Sequence, residues 1–377
     1  MSKPIVTFPH MGNLRIGAKA LLEALELEVI VPPPTTKHTL SLGSQHGPEF
    51  ACLPLKINLG NFMEAAALGA NTVVMAGGVG PCRFGYYAQV EREILQDLGY
   101  NLKMLVLEPP DKHFSELLTE IRSVTGNASL LKIIKALRFA WKKVKAVDGL
   151  ERRLHYLRPR EARRGQAEAI YRKGLDLVDQ AADGQEIKQA VEWSEQSFGR
   201  LKLKPARDYL KIGLVGEIYC QLDPFANMDI EKRLGEMGVE VARSIYLSEW
   251  VNEHLFLGLV PGVPDSREAR RMASPYINHF LGGHGQDSVG SAIRFQQGGF
   301  DGIIQMAPLT CMPEIVAQSV FNTVRKDRAL PTMTLIMDEQ SGEAGLVTRL
   351  EAFIDMLQRR KLQQQEGVVT GECVPGY

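Results

Sequence analysis

The chain lacks several features that would assign it at once. It has no net charge, since 44 lysines and arginines offset 44 aspartates and glutamates. Nothing global therefore argues for nucleic acid as a partner. No apolar run reaches membrane-spanning length, so no membrane association is expected. Met1-Ser2-Lys3-Pro4-Ile5 enters a strand directly, without the apolar core of a signal peptide, and the expected location is cytoplasmic. Cysteine is sparse, with five scattered through 377 residues. An odd, dispersed set fits reduced thiols in metal or catalytic use better than a disulfide framework. Cys-x-x-Cys is absent, which excludes ferredoxin-type and zinc-ribbon ligation. A dinucleotide fingerprint also fails: Gly78-Val79-Gly80 begins one, but Arg83 stands where its third glycine belongs.

What is present is an ordinary globular composition, 45% hydrophobic and 23% charged, long enough for two or three domains. Apolar strands alternate with helices over 1–111 and again over 206–377. That alternation predicts an α/β protein with two Rossmann-like, doubly wound parallel-sheet domains. Residues 35–49, rich in Thr, Ser, Gly and His, are expected to form a loop. Between the two units, 112–205 shows helical periodicity, with Ile133, Leu137, Trp141 and Val144 on one stripe, and is expected to be a helical insertion. From Lys132 to Lys173 it carries 14 Lys and Arg against four Asp and Glu. Such a run is either a solvated helical face or a docking surface for an anionic group or acidic partner.

The chemistry is expected where strands end. Thr72-Val73-Val74-Met75-Ala76 leads into Gly77-Gly78-Val79-Gly80-Pro81-Cys82-Arg83-Phe84-Gly85 and then a helix. A thiol at a helix N-terminus meets the positive end of the helix dipole, which favours thiolate. The second unit repeats the pattern: Gly302-Ile303-Ile304-Gln305-Met306-Ala307 runs into Pro308-Leu309-Thr310-Cys311-Met312-Pro313-Glu314. Cys52, beside Pro54, sits in a third such context. Ligands of open α/β sheets bind at the carboxyl ends of strands, so two facing domains would bring Cys82 and Cys311 to one cleft. Metal or cluster ligation competes here with simple packing of buried thiols.

Five stretches occur in a telling order: Ala51-Cys52-Leu53-Pro54-Leu55-Lys56, Gly80-Pro81-Cys82-Arg83-Phe84-Gly85, Gly216-Glu217-Ile218-Tyr219, Gly282-Gly283-His284-Gly285 and Cys311-Met312-Pro313-Glu314. On these the chain resembles the iron–sulfur subunits of the 2-hydroxyacyl-CoA dehydratase family, especially the branch of activase-related and double-cubane cluster proteins. The likeness covers nearly the whole length, less clearly the helical middle. It implies Cys52, Cys82 and Cys311 as ligands of an iron–sulfur cluster, either [4Fe–4S] or a double-cubane [8Fe–9S]. It also implies an ATP-dependent activase with its own cluster as electron donor, and assembly as a homodimer or heterodimer. Three thiolates on one cube leave an iron open for a substrate oxygen. A double cubane would need about six thiolates, hence two chains or further cysteines.

Cys220 is the extra thiol in a suitable place, as a packing residue or a further ligand; Cys373 lies in a tail expected to be poorly ordered. Glu217, Glu314 and His284 are candidates for proton transfer or donation in the cleft, with a first-turn acid and a turn histidine as the plainer roles for the last two. The expected activity is ATP-activase-driven, low-potential reduction of an acyl-CoA or small molecule by an iron–sulfur reductase or dehydratase-like enzyme. A non-catalytic electron carrier or cluster-bearing partner subunit, and a metal-free binding protein, are the rival readings.

Overall fold

A computed structural model describes residues 3–78, 82–107, 122, 125–126, 128–254, 258, 263 and 266–370. Two sheets carry the architecture, each of four strands and each wholly parallel. In the first, β1 (Ile5–Thr7), β2 (Glu28–Val29), β3 (Thr72–Ala76) and β4 (Lys103–Leu107) lie in the order β2-β1-β3-β4. In the second, β5 (Lys211–Gly216), β6 (Glu240–Arg243), β7 (Gly302–Pro308) and β8 (Thr332–Met337) lie in the order β6-β5-β7-β8. The topology is the same in both, and in both the direction of winding reverses between the two central strands. β7 is buried along its full length, which is why it reads as an unbroken apolar run. Its one polar side chain, Gln305, is satisfied by Thr334 and by Glu314.

The expected helical insertion is present as helices Leu130–Leu157, Gln166–Gln180 and Gly184–Gly199, the first and third N-capped by Ser129 and Asp183. Ile133 and Val144 of the predicted stripe are buried, and Leu137 and Trp141 are half-buried. The first helix joins everything else. Val147, Leu150, Leu154 and Leu157 form a core with Ile16 of the first lobe, and Val144 packs with Leu222 and Leu247 of the second. Many of the surplus bases are used inside the molecule: Arg152 pairs with Glu249, Arg158 with Glu168, Arg160 with Glu240 and Lys132 with Glu26.

One expectation is overturned. Lys37–His46, placed in a loop, is a helix. Thr36 and Thr39 close a reciprocal capping box at its start. Its Gly43 lies against the Lys56 carbonyl of helix Leu53–Ala67, where a Cβ would come within 1.6 Å; a Cβ on Gly60 of that helix would come within 2.0 Å of the Thr39 carbonyl. Residues that weaken an isolated helix are here what permits backbone-to-backbone packing.

The lobes meet across helix Leu53–Ala67. Leu53 and Ile57 enter the second lobe's core beside Ile212, Leu214 and Met306. Lys56, buried, pairs with Glu339 at 2.6 Å, and Thr310 Oγ1 donates to the Phe50 carbonyl at 2.8 Å. Among the described residues no helix is long and apolar enough to cross a membrane.

Candidate functional site

Cys82 follows β3, and Cys311 follows the topologically equivalent β7. Both strands flank the point where their sheet reverses its winding, so the two thiols sit where open α/β sheets place their ligands. Each is an N-cap: Cys82 of the short 3₁₀ turn Arg83–Tyr86, Cys311 of helix Met312–Arg328. Cys52 is the N-cap of helix Leu53–Ala67, and a proline opens both that helix and the one after Cys311. Val79, Gly80 and Pro81 of the Cys82 loop, and Cys373 of the tail, lie outside the described residues.

These positions converge. A Cβ added to Gly283 of the Gly-Gly-His-Gly loop would lie 3.5 Å from the Cys82 sulfur and 3.1 Å from Pro313, two residues beyond Cys311. Gly283 has φ +51°, so glycine is suited to it twice over, by conformation and by space. Cys52 feels the charges of Glu217 and Cys82; Cys311 feels Glu314, Glu217 and Cys52; Cys220 feels Glu217, Cys52 and Cys311. Thiols from both lobes thus share one electrostatic neighbourhood with Glu217.

The helix dipole does not govern these thiols. Burial pushes Cys52 up to about 12 against the pull of a Tyr87 hydrogen bond, and burial, followed by the charge of Glu314, pushes Cys311 higher still. At both, desolvation wins, and the expectation of a ready thiolate fails in the metal-free chain. Cys220 is fully buried in the second lobe's apolar core, and its N–H donates to Glu217 at 3.0 Å. Burial raises the Glu217 carboxyl as well.

Glu314 is fully buried, accepting from Ser288 Oγ at 3.0 Å and from Gln305 Nε2 at 2.8 Å. Burial places it at about 7, well above the usual carboxylate range. His284 is the N-cap of helix Gly285–Gln297 and lines a small polar cavity of about 30 Å³ in the second lobe, with Gln221, Glu253, Asp287 and Ser288. Burial, then the neighbouring His254, lowers it to about 4, so it is neutral near pH 7.

Sequence reasoning missed Tyr87. Its hydroxyl makes a short hydrogen bond with the Cys52 sulfur, and its ring lies 5.5 Å from that of Phe84 in the Cys82 motif. The residue opens the helix Tyr87–Asp97 that follows the Cys82 turn. Its place within one turn of that motif was the signal available.

Among the described residues no group of three or more His, Cys, Asp and Glu is spaced to grip a single metal ion. A cluster is broader than an ion and holds its thiolates farther apart. Three soft donors from separate helix ends, with Gly283 leaving room beside the Cys82 sulfur, suit such a group in donor chemistry. Comparison of the chain with protein-family models and with curated proteins gives no match.

Proposed function

We propose that the chain is an iron–sulfur protein of low-potential reduction, akin to the 2-hydroxyacyl-CoA dehydratase and double-cubane cluster proteins. One observation supports the reading: Cys52, Cys82 and Cys311 are each the N-cap of a helical turn, Cys82 and Cys311 follow the strands at the reversal points of two matching sheets, and Cys52 shares their electrostatic neighbourhood. When bound there, a cluster supplies single electrons at low potential and, with only three thiolates, one iron open to a substrate oxygen.

The protein residues do the rest. Cys52 and Cys82 hold from the first lobe and Cys311 from the second, so ligation also clamps the lobes. The thiols of Cys52 and Cys311, held protonated by burial, lose their protons only when a cation replaces them. Glu314 both holds and releases a proton near neutral pH, which suits it to follow each electron with a proton. The electron comes from an ATP-hydrolysing partner with its own cluster, and the acceptor is an acyl-CoA or a smaller oxygen-bearing molecule. Residues Arg163 and Arg164, exposed on the helical insertion, are available for a partner.

Protein made and purified without oxygen should be brown, with iron and acid-labile sulfide in similar amounts. Alanine at Cys52, Cys82 or Cys311 should each abolish or degrade the cluster. Cys220→Ala should keep its iron if a single cube is bound and lose much of it if a larger cluster uses that thiol. A folded wild type that is colourless and binds zinc or nothing, or a Cys82→Ala variant with a wild-type spectrum and iron content, would refute the proposal.

A further inference from the structure

Resting on that reading, we infer that Tyr87 is a positioning residue for the cluster: its hydroxyl donates a hydrogen bond to the ligating sulfur of Cys52 and thereby raises the cluster's reduction potential. Three observations lead there. Tyr87 is 4 % exposed, and its hydroxyl contacts the Cys52 sulfur. Tyr87 opens the helix that directly follows the turn capped by Cys82, and its ring packs against Phe84 of that turn, so the hydroxyl is aimed from one ligand loop at the ligand of another. The direction of the bond is then forced. A ligating cysteine has lost its S–H and can only accept, so the phenol hydroxyl, which has one proton to give, is the donor.

Hydrogen bonds to cluster sulfurs are among the levers that set the potential. Reduction adds negative charge to the sulfurs, so a donor stabilises the reduced state more than the oxidised one. The other described donors of this kind are backbone N–H groups, that of Leu55 toward Cys52 and that of Glu314 toward Cys311, which no side-chain change removes. Tyr87 is therefore the side-chain donor that can be deleted cleanly.

The test is Tyr87→Phe, which keeps the ring, its contact with Phe84 and its place in the first lobe's core. Wild type and variant are purified anaerobically, their iron and sulfide measured, and their potentials determined by redox titration followed by electron paramagnetic resonance. Iron per chain should be unchanged. The reduction equilibrium should move against the reduced form by about tenfold, which is 59 mV more negative for a one-electron couple. Resonance Raman bands of the iron–thiolate bonds should shift as well. Wild-type iron with an unchanged potential overturns the inference. So does loss of the cluster from the variant, since the hydroxyl would then hold the cluster rather than tune it. Absence of iron from the wild type is seen before the variant is made; it overturns the proposed function and this inference with it.

Discussion

Replacing Arg243 by methionine should cost the protein more than any single surface change, and should do so in a pH-dependent way. Arg243 closes β6, and its side chain is 2 % exposed. Its guanidinium contacts Glu151 of helix Leu130–Leu157, lies 3.2 Å from Glu231 and reaches the Gln221 carbonyl at 3.4 Å. Glu151 also accepts from Asn13 of the first lobe at 2.6 Å, and Glu231 is 3.1 Å from His155. One cation thus joins the helical insertion to the second lobe, and through Glu151 to the first. Burial pushes Glu231 up, but Arg243 and then His155 outweigh it and hold the carboxyl at about 2. Removing one partner of such a buried pair costs about 3–5 kcal/mol, because the other charge remains without compensation.

The pH signature separates this account from a mere packing defect. In the wild type Glu231 has a depressed pKa, so its contribution is present above the usual carboxylate range and is lost as pH falls toward 2. In Arg243→Met, Glu231 loses the cation that does most to hold it down and keeps His155 and Arg158 against its burial, so its carboxyl should titrate higher than in the wild type. The variant's deficit should be largest at pH 8 and shrink on acidification, by about 1.4 kcal/mol per pH unit for each carboxylate that is protonated in the folded state alone. Urea unfolding followed by circular dichroism at pH 5, 6.5 and 8 measures it. Adding Glu151→Gln and Glu231→Gln to the variant should recover much of the loss. A deficit below about 1 kcal/mol at pH 8, or one that stays constant down to pH 5, would refute the reasoning.

Two further outcomes are expected. Glu314 has a raised folded-state pKa of about 7, so the folded state retains its proton where the unfolded chain has lost it, and wild-type stability should fall between pH 4.5 and 7 by at most about 3 kcal/mol; Glu314→Gln should lack that fall, and equal pH slopes for the two proteins would remove the carboxyl from consideration. Glu339→Gln should leave the buried ammonium of Lys56 with neutral acceptors and no counter-charge and destabilise the protein by about 1–3 kcal/mol, the lower end because Glu339 is 27 % exposed; an unchanged urea midpoint would show that the charge pair contributes nothing.

Local patterns made much of this legible in the sequence. β3 and β7 announce themselves as continuous apolar runs, and the Gly or Pro that follows each marks the turn into a helix. Cys82 and Cys311 could be placed for that reason. Helix Lys37–His46 could not, because its Thr, Ser and Gly residues score poorly alone and are favoured only by the close contact of Gly43 and Gly60 with a neighbouring backbone. How the basic run from Lys132 to Lys173 is used was hidden for a related cause. Arg152, Arg158 and Arg160 find partners 97, 10 and 80 residues away, and no one-dimensional charge count can foresee such pairings. Tyr87 was hidden because its partner, Cys52, lies 35 residues earlier. The thiol pKa values depended on a balance between dipole and burial that only depth in the fold decides.

The duplicated topology bears on why three thiols are offered rather than four. Cys82 and Cys311 follow equivalent strands. The helices that lead into those strands, Leu53–Ala67 and Gly285–Gln297, are equivalent too, and their N-caps are Cys52 and His284. Each of these helices is drawn onto its predecessor by a glycine, Gly60 against the Thr39 carbonyl and Gly290 against the Ala269 carbonyl. The second lobe therefore repeats the first, and at one of the two thiol positions an imidazole stands in place of sulfur. At about 4 the pKa of that imidazole leaves it neutral, so it brings neither the charge nor the soft donor of a thiolate. Cys220 does not restore the symmetry, since it follows β5, not β7, and its side chain belongs to the apolar core. Under the proposed function this single departure from twofold repetition has a chemical consequence. If a cluster binds as proposed, two sulfurs from one lobe and one from the other would hold it, leaving an iron without a protein thiolate for a substrate oxygen.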